Sequence, residues 1–167
     1  GAATQGLADY LKEQFPGQKI SVAIGYDVRH NSDVFSRLCA EVLSANGIKA
    51  YLFDGFRPTP EISFAIRHLG CNSGIVITAS HNPPKYNGYK AYWNDGSQVV
   101  PPHDTGIIDR VARVRVQDIR FTPDESLIET IGTEVDRAFV EAAVKNGSCD
   151  TAGRDDFKLV YTPIHGT

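Results

Sequence analysis

Residues 19–54 restrict the fold more than any other stretch. Lys19–Asp27 reads Lys-Ile-Ser-Val-Ala-Ile-Gly-Tyr-Asp, a β-branched apolar run of strand length. Ser32 then stands as an N-cap before Val34, Phe35, Leu38, Cys39, Val42 and Leu43, an apolar stripe at helical spacing. Asn46-Gly47 supplies a helix stop that tolerates positive φ. Lys49–Asp54, Lys-Ala-Tyr-Leu-Phe-Asp, is a second strand. Two strands joined through a helix run parallel, with a right-handed crossover. In open sheets of this kind, ligands gather outside the carboxyl ends of the strands.

The remaining segments extend this unit. Leu7, Tyr10, Leu11 and Phe15 give the first seventeen residues one buried helical face, which Pro16-Gly17 ends. After the Gly55–Pro58 loop, Thr59 caps a helix with Pro60 at its first position. Ile62, Ala65, Ile66 and Leu69 form its apolar face, and Gly70 stops it. Gly74–Thr78 is a third strand, and Tyr89–Trp93 a fourth. Too short a connection separates these two for a parallel return, so the fourth strand runs antiparallel. Tyr92 and Trp93 then face opposite sides of the sheet, and Asn94-Asp95-Gly96 turns the chain again.

Pro101-Pro102 introduces a helix bearing Ile107, Ile108 and Val111. Residues 118–130 read as a loop with a short helical piece. Thr133 and Asp136 have capping-box spacing with a shorter acid, opening a helix through Lys145 whose buried side is Val135, Phe139, Ala142 and Ala143. Residues 150–156 are a polar linker, and Phe157–Tyr161 has the apolar pattern of a new strand. The expected architecture over residues 1–150 is a three-layer α/β/α domain, with a mixed, mostly parallel sheet and one antiparallel strand.

Charge and composition exclude several classes. A net charge of -3 and a pI near 5.9 give no basic field for nucleic acid. No apolar run approaches the roughly 20 residues that span a bilayer, and no secretory signal is visible. Cys39, Cys71 and Cys149 are odd in number and lack Cys-x-x-Cys or Cys/His spacing, against a disulfide framework or a zinc site. A reducing cytoplasm is the expected location. Methionine is absent from all 167 residues, which leads us to expect a piece excised or processed from a longer chain.

The chemistry concentrates after the third strand, in Thr78-Ala79-Ser80-His81-Asn82-Pro83-Pro84. A hydroxyl, an imidazole and a carboxamide stand side by side at a strand's carboxyl end, and two prolines stiffen the exit. Serine alone is a weak nucleophile. A serine that takes and gives phosphate needs cationic or N–H partners for the phosphoryl oxygens, which His81, Asn82, Lys85, Lys90 and the turn's own N–H groups supply. No Gly-x-Ser-x-Gly elbow supports a serine hydrolase, and no P-loop or dinucleotide glycine fingerprint is present. Asp27 and Arg29 end the first strand at the same sheet edge. Their expected role is structural, an ion pair or loop hydrogen bond that holds the turn.

The hexapeptide Thr78–Pro83 closely resembles the phosphoserine signature of the α-D-phosphohexomutases, the phosphoglucomutase and phosphomannomutase family, and Tyr86-Asn87-Gly88-Tyr89-Lys90 is similar to that family's next segment. The resemblance implies that Ser80 carries the transferable phosphate. It places His81 and Lys90 with Ser80 as catalytic residues, and Thr78, Ala79 and Asn82 in the phosphate-binding loop. It implies interconversion of hexose 1-phosphate and hexose 6-phosphate through a hexose 1,6-bisphosphate. It also implies Mg2+, touched by Ser80 only through its phosphate.

The family's Asp-Gly-Asp-x-Asp-Arg metal loop, Gly-Glu-x-Ser-Gly sugar loop and Arg/Ser-rich phosphate loop have no counterpart here. The resemblance therefore makes residues 151–167 a linker and the first strand of a second domain. It also makes the other domains of a parent chain, together with a phosphosugar, the partners of this one. Three alternatives stay open: a phosphopentomutase, an N-acetylhexosamine-phosphate mutase, and a non-catalytic phosphosugar-binding module.

Overall fold

A computed structural model describes residues 1–147 and 156–161. Among them the chain runs α1 (Ala2–Gln14), β1 (Ser21–Tyr26), α2 (Ser32–Ala45), β2 (Lys49–Phe53), α3 (Thr59–His68), β3 (Ser73–Ile77), β4 (Tyr89–Trp93), α4 (His103–Val111), β5 (Ile128–Ile131) and α5 (Thr133–Asn146). The sheet has the order β4-β3-β1-β2-β5. Every neighbouring pair is parallel except β3 and β4. α1, α2 and α4 cover one face, while α3 and α5 cover the other. This is the three-layer α/β/α fold with one antiparallel strand that the sequence implies.

Strand alternation explains how the two faces differ. Val22, Ile24, Ile75 and Ile77 point into the core under α1 and α2, whereas Ala23 and Val76 point toward α3. The α3 face also carries Gly25 and Gly74. A Cβ on Gly25 would lie 2.2 Å from Ile62 Cγ1, and one on Gly74 would lie 2.3 Å from Ile66 Cδ1. The small residues let α3 press against the two central strands. Either glycine to alanine would force the helix outward, an overpacking change that costs about 1–3 kcal/mol. Tyr92 enters the α3 core, and Trp93 packs on the other face between Phe15, Tyr10 and His103.

Several local expectations are corrected. Ser32 is not the N-cap: Asn31, at φ 62°, holds that place, and Ser32 turns its hydroxyl inward. Pro58 rather than Thr59 occupies the N-cap of α3. Val34 and Phe35 lie outside the α2 stripe and are exposed, and the buried first turn is Ser32 and Ser36. Residues 118–130 are not merely a loop. They end in β5, which extends the sheet beside β2 with Ala50 opposite Ile128 and Phe53 opposite Ile131.

The expected capping box of α5 is not formed. Gly132 is the N-cap, and the Asp136 carboxylate pairs with Arg57 instead, because a full ion pair outcompetes a backbone cap. Only Val135 of the expected α5 face is fully buried, and Ala143 is exposed. Phe157–Tyr161 is exposed and carries no strand, since a strand needs a ladder partner and none of the described residues pairs with it.

Candidate active site

The register of the two central strands sets the site. Tyr26 pairs with Ile77, so Asp27 and Thr78 leave the sheet together at its carboxyl edge. The Asp27 N–H still donates to the Ile77 carbonyl at 3.2 Å. The chain then makes a loop from Thr78 to Gly88 and closes it with a 3.1 Å bond from Thr78 N–H to the Gly88 carbonyl. Gly88 is needed there, because a Cβ would stand 2.6 Å from the Thr78 carbonyl oxygen. β4 then runs back antiparallel and carries Lys90 beside the loop.

Within the loop, Ser80 has φ 54°. That left-handed conformation is uncommon outside glycine and is held only where neighbouring groups determine it. The two peptide groups that flank the Ser80 Cα are both pinned. Its N–H donates to Thr78 Oγ1 at 3.1 Å, and its carbonyl accepts from Arg29 Nη2 at 2.5 Å. The side chain is left free to project, and Lys90 Nζ donates to Ser80 Oγ at 2.6 Å. A hydroxyl bonded by an ammonium is poised to exchange a proton with it or to share a charged group placed on the oxygen.

Arg29 holds the loop. Its Nε donates to Asp27 Oδ2 at 2.9 Å, and its Nη1 donates to the carbonyls of Asn82 at 2.6 Å, Pro83 at 2.9 Å and Tyr86 at 3.3 Å. Asp27 is buried and also accepts from Arg29 N–H, from Ser32 Oγ at 3.2 Å and from Thr78 Oγ1 at 2.6 Å. So many donors satisfy the oxygens of a buried carboxylate without water. A second latch runs through Asn87, whose Nδ2 donates to the His30 carbonyl at 2.6 Å.

The surface between these turns is a cleft of about 380 Å³ lined by Asp27, Val28, Arg29, Ser80, His81, Asn82, Pro83 and Pro84. His81 and Asn82 are exposed on its rim, Ala79 is half-buried, and Thr78 is buried beneath it. Lys85 lies outside, its ammonium 5.5 Å from the Tyr86 ring centroid. The structure thus brings Ser80, His81 and Asn82 to one cleft with Thr78 below, while Lys90 reaches Ser80 Oγ from β4 and is not part of the cleft lining. Sequence reasoning missed Ser32 and Asn87 as members of the support. Ser32 was legible only as a cap, since serine before a helical stripe satisfies that pattern equally well. Among the described residues no three His, Cys, Asp or Glu side chains are grouped to hold a metal ion, and no helix is long and apolar enough to cross a membrane.

Known proteins resemble this chain over most of its length. Residues 1–118 match the family model described as phosphoglucomutase/phosphomannomutase, alpha/beta/alpha domain I. The chain is 41% identical, over 98% of its length, to a probable phosphoribomutase of Schizosaccharomyces pombe, of which it covers 29%. It is also 41% identical, again over 98% of its length, to a probable phosphomannomutase of Haemophilus influenzae, of which it covers 33%. A putative phosphomannomutase from Thermus thermophilus superposes with a TM-score of 0.75 at 30% identity, over 86% of this chain and 30% of that one. The chain therefore spans about a third of the length of these relatives.

Proposed function

The chain belongs to the phosphoglucomutase/phosphomannomutase family through its domain I, and on that premise we propose that it is the catalytic-serine domain of a phosphohexomutase. The observation that carries the reading is the 2.6 Å contact of Lys90 Nζ with Ser80 Oγ, made by a serine held at positive φ over an open cleft.

In the forward step, the 6-hydroxyl oxygen of a hexose 1-phosphate gives up its proton to water at the cleft and attacks the phosphorus of phospho-Ser80. The P–Oγ bond breaks, Oγ takes a proton from Lys90, and a hexose 1,6-bisphosphate results. After the intermediate turns over, Ser80 Oγ returns its proton to Lys90 and attacks the phosphorus at the sugar's 1-position. The bond from the sugar O1 to phosphorus breaks, O1 takes a proton from water, hexose 6-phosphate leaves, and the phosphoserine is restored. Phosphoryl transfer depends on positioning and charge neutralisation. In this reading Lys90, which already donates to Ser80 Oγ, and the exposed side chains of His81 and Asn82 supply the donors for the phosphoryl oxygens.

Magnesium supplies charge neutralisation on that group when bound. This chain fits it with one ligand, an oxygen of phospho-Ser80, since Asp27 is already filled by donors. The remaining ligands, the sugar contacts and the distal phosphate contacts belong in this reading to other domains of a parent chain. We place the boundary near residue 150, after α5 and before the exposed Phe157–Tyr161.

A pentose-phosphate substrate is the second reading, favoured by the relative named a probable phosphoribomutase and by a human relative named phosphopentomutase at 34% identity. Turnover of glucose, mannose and ribose 1-phosphates by the full-length protein separates the two. The test of the common core is intact mass with peptide mapping after incubation with glucose 1,6-bisphosphate. Phosphate is expected on Ser80, with none in Ser80→Ala, and Ser80→Ala is expected to abolish turnover while the fold persists. A Ser80→Ala protein that keeps most of its activity refutes the proposal.

A further inference from the structure

The conformation of Ser80 has a single anchor. Its N–H is held by Thr78 Oγ1, and the hydroxyl hydrogen of Thr78 goes to Asp27 Oδ2 at 2.6 Å. Its carbonyl is held by Arg29 Nη2, and Arg29 Nε goes to the same Asp27 oxygen at 2.9 Å. Both peptide groups around the Ser80 Cα are thus tied back to one buried carboxylate, one through a hydroxyl and one through a guanidinium. Rotation about φ of Ser80 would have to break one of the two ties.

We propose that Thr78 and Asp27 are positioning residues for phosphoryl transfer, whose hydrogen bond keeps Ser80 at positive φ and so keeps Oγ on Lys90. This rests on Ser80 being the residue that carries phosphate. It assigns Thr78 a role other than phosphate binding. Its one O–H is given to Asp27, it has no further hydrogen to donate to a phosphoryl oxygen, and it is 4% exposed beneath the cleft. Asp27 likewise has no role as a base, because Thr78, Ser32 and Arg29 fill its oxygens.

A relaxed Ser80 carries its oxygen off the line between Lys90 and the phosphorus. Misplacement by about 1 Å lowers rate by about 10²-fold without touching the substrate. The effect therefore belongs in kcat and not in KM.

The experiment compares Thr78→Val, Thr78→Ser and Ser80→Ala in the full-length protein, with glucose 1-phosphate and glucose 1,6-bisphosphate. Thr78→Val keeps the volume and loses the hydroxyl. Its kcat is expected to fall about 10²-fold with KM within about threefold, and Thr78→Ser is expected to return kcat to within about fivefold of the parent. Asp27→Asn is the second variant, with the same expected split, if Thr78→Val is not recovered folded.

An unchanged kcat in Thr78→Val overturns the proposal. So does a loss carried by KM, which would place Thr78 on the substrate. A serine variant no better than valine also overturns it, as does failure of both Thr78→Val and Asp27→Asn to fold. Ser80→Ala separates the two levels: if it stays active, the phosphoserine reading itself has failed. If it is dead while Thr78→Val runs at full rate, only the positioning role has.

Discussion

Two arginines stand at the same edge of the same sheet, and they are used in opposite ways. Arg29 meets one carboxylate and four backbone carbonyls, and its partner Asp27 is filled by donors. Arg57 meets carboxylates above all. Its Nε donates to Asp136 Oδ1 at 2.6 Å, its Nη2 to Asp136 Oδ2 at 2.8 Å and to Asp54 Oδ1 at 2.9 Å, and Glu61 lies 3.8 Å away.

The first arrangement balances one positive against one negative charge and directs the remaining N–H groups at backbone. The second sets one cation among three acids. Glu61 Oε1 is buried there with no hydrogen-bond partner among the described residues. Burial, followed by the neighbouring Asp136 carboxyl, pushes the Glu61 carboxyl up to about 7, while the Arg57 hydrogen bond lowers that of Asp136. A carbonyl cannot titrate, so four of the contacts by which Arg29 holds the loop involve no proton equilibrium. The Arg57 cluster exchanges a proton near neutrality. Rigidity sits under Ser80, and pH sensitivity sits where α5 joins the sheet.

The largest test of this contrast is Arg29→Lys. Lysine keeps the charge but gathers its donors at one point, and it cannot span Asp27 together with the carbonyls of Ser80, Asn82, Pro83 and Tyr86. Each lost charged hydrogen bond is worth about 1.5–3 kcal/mol. We expect a stability loss of at least about 2 kcal/mol by urea unfolding. We also expect full-length turnover to fall by about 10²-fold or more as Ser80 loosens. Retained turnover would show that the carbonyl contacts do not hold the loop.

Arg57→Lys is the matched control and should do less. Lysine still neutralises Asp136 and Asp54 as a point charge, and Asp136 is partly solvated, so its loss stays near 1 kcal/mol. Turnover should be within about threefold of the parent, since nothing in the Arg57 cluster reaches the cleft. A loss as deep as that of Arg29→Lys would make the two clusters equivalent and end the distinction.

How much of this was readable from the sequence follows from the same contrast. The Asp27-x-Arg29 pair is legible because the two residues end a strand two positions apart. Its acceptors are not, because any residue offers a carbonyl and so leaves no side-chain signal. The β-α-β frame is legible from helical and strand periods over ten or more residues. β5 is not: Ile128-Glu129-Thr130-Ile131 is a four-residue edge strand with its two central residues exposed, too short to show a period. Arg57 and Asp136 are 79 positions apart and meet only because β5 returns the chain beside β2. Missing the strand therefore hid the cluster, and left Thr133 and Asp136 as the expected capping box. Phe157–Tyr161 shows the converse, a strand-like pattern without a ladder to join.

The finest test is the pH dependence of Glu61. Its carboxyl is raised from the model-compound value of 4.5 to about 7 in the folded state. Between those values the folded chain binds a proton that the unfolded chain has released. Stability therefore falls as pH rises from about 4.5, and the loss is complete above about 7. Asp136 has the opposite sign: its lowered value adds stability above the ordinary aspartate range and loses it on acidification.

The two together place maximum stability on the acid side of neutral, between the titrations of Asp136 and Glu61. Glu61→Gln removes the second titration while its amide can donate to Asp136. It should flatten the fall between pH 5 and 8 and stabilise the chain at pH 8 by about 1–2 kcal/mol. Thermal melts across that range measure it. A parent curve flat from pH 5 to 8, or a Glu61→Gln curve that keeps the parent's slope, would show that Glu61 is ionised throughout.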